Sequence, residues 1–163
     1  MELYFLVVTA HVLAALVWLG GMLFLALAAS ELRRIDDDAL RAQLFDRLGR
    51  RFRLVGWICI VVLVGTGVAQ LQMRQWWGLA VWTRPGFWTS ATGGALAWKL
   101  SLAFVMIGIQ GLHDFWLGPR AGSAPRGSEE ARSLRKRAAH LARINALLGL
   151  GLVYVAIRLA RGG

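Results

Sequence analysis

The chain has 163 residues, 57% of them hydrophobic, with eight Trp and a formal net charge of +10. That apolar share exceeds what a soluble domain of this size carries. The basic residues fall between apolar runs rather than on a free basic face, which argues against nucleic acid as a partner. A single cysteine, Cys59, excludes an internal disulfide, a thiolate zinc cluster and covalent c-type haem attachment.

The first element is an apolar run from Leu3 to Ala29, long enough to cross a bilayer, which takes about 20 residues. No basic stretch precedes it and no A-x-A-like site follows, so the reading is a retained helix rather than a secretory leader. Three more spans follow, Leu54–Met73, Ala95–Leu117 and Ile144–Ala160. The fold expected is all-α, a single polytopic membrane four-helix bundle.

The connections set the expected topology. Glu31–Arg53 holds seven Arg against five acids, and Gly118–Arg143 holds six Arg and Lys136 against two acids. Together these two segments carry 14 of the 19 Lys and Arg, which places both in the cytoplasm and both termini outside. Asp36-Asp37-Asp38 and Ser128-Glu129-Glu130 are good helix starts. Spans two and four should therefore extend into the cytoplasm as helix. Gly118–Pro125 reads as a turn-rich linker. The segment Arg74–Gly94, with Trp76, Trp77, Trp82 and Trp88, reads as an interfacial aromatic segment or a lid over an outer site.

Polar side chains inside the spans are the candidates for function, since they are costly in hydrocarbon. At about 1.5 Å per residue, His11 lies roughly 12 Å below the outer edge and Lys99 about 6 Å below it. Thr66, Gln70, Met106, Tyr154 and Arg158 share that half. Gln110, His113, Asp114, His140, Arg143 and Asn145 gather at the inner end. His11 reads as an axial haem ligand, a copper ligand, or a helix–helix hydrogen bond to Thr66, Gln70 or Tyr154. Lys99 reads as a partner for a haem propionate or as a snorkelling cation. Met106 is a thioether for Cu(I) or a core residue. His113 and His140 read as ligands of a second haem or metal, as a proton relay with Asp114, or as interfacial groups. Trp18 and Tyr154 complete the cofactor-binding set. The glycines have no strand before them and read as helix-packing residues rather than a phosphate cradle.

The run His11-Val-Leu-Ala-Ala-Leu-Val-Trp18-Leu-Gly20-Gly21-Met-Leu-Phe24 resembles the first-helix signature of CopD-type copper-resistance membrane proteins. With Trp98-Lys99-Leu100 entering span three and Phe45-Asp46-Arg47-Leu48 before span two, the chain is also similar to HemJ, the four-helix protoporphyrinogen oxidase. The resemblance implies a protein of the cytoplasmic membrane that binds haem b, with His11 as axial ligand and Lys99 beside a propionate. Its work would be electron transfer or redox chemistry, and a HemJ-like oxidoreductase if it is an enzyme. The alternatives are copper handling through His11 and Met106, or a non-catalytic accessory subunit. The partners implied are the lipid bilayer and a homo-oligomer or larger membrane redox complex.

Overall fold

A computed structural model describes residues 1–125 and 128–162. Arg126 and Gly127, part of the second basic connection, and Gly163 lie outside the described residues. Among the described residues there are six α-helices, one π-helical segment and no strand: α1 (Glu2–Leu32), α2 (Asp38–Met73), α3 (Leu79–Trp82), α4 (Ala91–Gly111), the π segment (Leu112–Leu117), α5 (Gly118–Ser123) and α6 (Glu129–Ala160). Four continuous helical stretches are long and apolar enough to cross a membrane: α1, α2, α4 continued through α5, and α6. All four expected spans lie within them. The chain divides into two compact helical units, Met1–Val81 and Trp82–Gly163.

The acidic starts act as caps. The Asp37 carboxylate accepts from the N–H groups of Ala39 at 2.8 Å and Leu40 at 3.0 Å. Ser128 Oγ accepts from Ala131 N–H at 3.1 Å, and Ser90 Oγ from Gly93 N–H at 3.1 Å. Each satisfies an amide that the helix leaves without a partner. Arg41 pairs with Asp38 and Arg50 with Asp46 along the polar start of α2. With 36 and 32 residues, α2 and α6 are roughly 54 and 48 Å long, well beyond a hydrocarbon core of about 30 Å. Their charged first halves are the helical extensions expected from the sequence.

In the first unit α1 and α2 form an antiparallel hairpin. Tyr4, His11 and Trp18 recur every seventh residue on α1, a spacing that keeps one face on a partner helix. Tyr4 meets Arg74, His11 meets Thr66 and Trp18 lies on Gly56. At the next turn Gly21 admits the Phe52 ring, since a Cβ there would stand 2.1 Å from Phe52 Cε2. The outward residues Leu3, Phe5, Leu6, Leu13, Leu16, Phe24 and Leu27 are exposed, as lipid-facing side chains are.

In the second unit α4 and its π segment pack along α6. Leu96, Met106, Gln110, Asp114 and Leu117 are buried on one side of this pair, and Ala131, Asn145, Gly149 and Leu159 on the other. Thr92 Oγ1 donates to Gly162 O at 2.7 Å and ties the ends together. Gly93 is a close approach of main chain to main chain, because a Cβ would stand 1.9 Å from Phe87 O. Ahead of α4, Trp88 Nε1 donates to Trp82 O at 2.8 Å, and its ring stands edge-on to Phe87.

The expected linker at Gly118–Pro125 differs. The helix runs on to Ser123, and the turn begins only at Ala124. Two local features allow it. Gly118 N–H reaches back five residues to His113 O, a π step. Pro119 then falls in the first turn of α5, where its missing N–H costs nothing.

Candidate metal-handling histidines

Each unit holds one histidine inside a helical pair, and in each the Nδ1 atom is tied to a neighbour. In the first unit His11 Nδ1 lies 2.8 Å from Thr66 Oγ1. The Thr66 hydroxyl donates to Val62 O at 2.5 Å, the back-bond expected of a threonine inside a helix. Its oxygen therefore accepts from His11, which sets the proton on Nδ1 and the lone pair on Nε2. Of the three hydrogen-bond partners open to His11 from the sequence, the seam supplies Thr66. Gly67 flanks the same ring, its Cβ position 3.7 Å from Cε1. One helical turn on, Gln70 Nε2 is buried with no hydrogen-bond partner among the described residues, and so is Trp18 Nε1.

In the second unit His113 Nδ1 lies 2.9 Å from Asp114 Oδ1. Asp114 is 4% exposed, and both its carboxylate oxygens have polar partners. Gln110 Nε2 donates to its other oxygen at 2.8 Å, and Asn145 Nδ2 of α6 donates to Gln110 Oε1 at 3.3 Å. A buried carboxylate needs such donors to remain in an apolar region. The chain Asn145–Gln110–Asp114–His113 crosses from α6 to α4 and ends on an imidazole whose side chain is 34% exposed. The π segment contributes here. It begins at Leu112 and leaves Asp114 buried while Phe115 and Trp116 face out.

The remaining sequence candidates are dispersed. Trp18 is 4% exposed and packs against Gly56. Met106, at 1% exposure, fills the interior of the second unit. Lys99 is half-buried on α4. Tyr154 is exposed and lines a groove of about 410 Å³ with Trp98 and Arg158. His140 is exposed and lines a different groove, of which His113 is not a part. Among the described residues no three His, Cys, Asp or Glu side chains stand close enough to hold one metal ion.

Two arrangements were not anticipated from the sequence. Arg74 donates to Tyr4 Oη through Nε at 2.9 Å and Nη2 at 2.5 Å, with its guanidinium 5.0 Å from the Trp76 ring. The Gln110–Asp114 step of four residues, one helical turn, was the available signal for the second network; its link to Asn145 was not visible.

The profile of the copper resistance protein D (CopD) family matches residues 46–159. The chain belongs to the CopD family. The match begins inside α2 and takes in Thr66, Lys99, His113, Asp114, His140 and Asn145, while α1 and His11 precede it. An uncharacterized protein of Aquifex aeolicus (strain VF5) is 33% identical over 153 residues, 93% of this chain and 92% of the relative. No solved structure matches the chain. Family and apolar helices together make this a multi-pass membrane protein related to copper resistance.

Proposed function

We propose that this CopD-family protein handles copper ions in the cytoplasmic membrane, binding them through histidine Nε2 atoms, with His113 the principal donor and His11 a second. The observation that carries the proposal is the His113–Asp114 bond at 2.9 Å. A carboxylate on Nδ1 fixes the tautomer, orients the ring and makes Nε2 a more basic ligand, the arrangement typical of metal-binding histidines. Imidazole nitrogen suits copper, and the family relation supports that ion over others. In the topology proposed, both basic connections lie in the cytoplasm and both termini outside.

Haem b at His11 is the second reading, favoured by the Thr66 bond that directs the His11 lone pair to Nε2. His11 would be the axial ligand, and the group would supply one-electron redox chemistry. One preparation tests both readings. The detergent-purified protein is incubated with Cu(I) under reducing conditions, dialysed, and measured for copper and for visible absorbance. Copper retained by the wild type and lost in His113→Ala supports the proposal. Equal copper in wild type and in a His11→Ala/His113→Ala double variant overturns it. A reduced-minus-oxidised haem spectrum that vanishes in His11→Ala would establish the second reading instead.

A further inference from the structure

A groove of about 530 Å³ lies between the π segment and α6, lined by Leu112, Trp116, Leu117, Lys136, Arg137, His140 and Leu141. Its floor is apolar. Its rim carries two permanent cations and an exposed histidine, and no acid lines it. Neither Lys136 nor Arg137 is ion-paired among the described residues. Arg120 adds a third cation, its guanidinium stacked 4.0 Å from the Trp116 ring.

The depth of the groove bears on what fits it. The apolar part of α6 starts at Ile144, one helical turn beyond His140, so the groove straddles the boundary between hydrocarbon and headgroup. Trp116 and Arg120 sit at the matching end of the other helix, where an aromatic ring and a basic tip are at home in the interface. A bilayer lipid presents apolar chain on one side of that boundary and phosphate on the other. Basic pockets between helices at this level suit anionic head groups.

We propose that this groove is a binding site for an anionic phospholipid, with its phosphate held by Lys136, Arg137 and His140 and the upper acyl chain lying on Leu112, Trp116 and Leu141. The site is separate from the His113–Asp114 pair and does not depend on any copper chemistry. The lipid, not free phosphate, is the occupant because the floor offers chain-sized apolar surface that inorganic phosphate cannot use.

Native mass spectrometry of the full chain in non-ionic detergent tests this, with phosphatidylglycerol and phosphatidylcholine added separately. The wild type should retain phosphatidylglycerol in preference. Lys136→Gln/Arg137→Gln should weaken that retention about 25-fold, at roughly fivefold per interfacial charge, and leave phosphatidylcholine unchanged. Trp116→Ala should lower retention of both. The charge-matched control Arg47→Gln/Arg51→Gln, on exposed positions of α2, should retain phosphatidylglycerol as the wild type does. Equal loss in the control and the groove variant would mean diffuse attraction and would overturn the site. Displacement of the lipid by millimolar inorganic phosphate would overturn the lipid as occupant. Thermal unfolding of each variant at the wild-type temperature confirms that the fold is intact.

Discussion

The two helical pairs solve the same problem with different chemistry. Where α1 and α2 hold their histidine, the contact is one imidazole and one threonine hydroxyl, the latter bonded back to its own helix. Between α4 and α6 it is built on a carboxylate, which needs the Gln110 amide, the His113 ring and, behind them, Asn145. A neutral hydroxyl can lose a partner at modest cost, whereas a buried charge cannot. The histidine of the first pair is therefore held by a neutral hydroxyl, while that of the second stands at the end of a network. On the proposed reading the same network would make His113 the stronger ligand, because a carboxylate polarises an imidazole more than a hydroxyl does.

The units also differ in their tightest glycine approach, main chain of the preceding segment at Gly93 and a facing side chain at Gly21, and the largest expected effect lies there. Gly93→Ala puts a methyl group onto the Phe87 carbonyl, a main-chain atom that cannot swing aside. It should cost about 3 kcal/mol, at the upper end for overpacking. Gly21→Ala meets only the end of the Phe52 ring and should cost roughly half as much. Unfolding in graded denaturing detergent reads both, and equal losses would erase the distinction between a main-chain and a side-chain contact.

Asp114→Asn keeps the shape of the second network and removes its charge. Copper retention through His113 should fall about 10- to 100-fold, the usual cost of losing the group that orients a metal-bound histidine. Equilibrium dialysis against a Cu(I) chelator measures it. A variant with unchanged copper would place the ion away from His113. Thr66→Val makes the matching change in the first pair. Without a carboxylate to lose, copper retention should fall less than about tenfold. Stability should drop by about 0.6 kcal/mol, the average for a hydrogen bond between membrane helices. A stability loss larger than that of Asp114→Asn would invert the comparison. Smallest of all, Tyr4→Phe removes the acceptor of the Arg74 guanidinium near the end of the first pair. It should cost about 0.5 kcal/mol, read in the same unfolding series.

Most of the helical framework was legible in the sequence because a membrane makes hydropathy nearly decisive. Unbroken apolar runs such as Leu3–Ala29 have few alternatives to a spanning helix. The starts at Asp37 and Ser128 were equally plain, since their side chains are short acceptors placed just before helical runs. Gly118–Pro125 was misread for a physical reason. Glycine and proline mark turns on average, but a π step re-registers the hydrogen bonds so that Pro119 starts a helix. At the site level, His11 and His113 were visible as costly groups in apolar surroundings. The groove at Trp116 was not visible, because it joins residues about 20 apart that share no pattern.

The sequence by itself determined that this protein is helical, membrane-spanning and rich in cations between its spans, because burial in lipid and charge outside it act residue by residue. Tertiary structure decided which polar groups meet. Thr66 meets His11, and Asp114 lies between His113 and Gln110 with Asn145 behind. Those pairings depend on the relative rotation and offset of packed helices. One residue of rotation turns a side chain by about 100°, and no single-helix pattern records how two helices are set against each other.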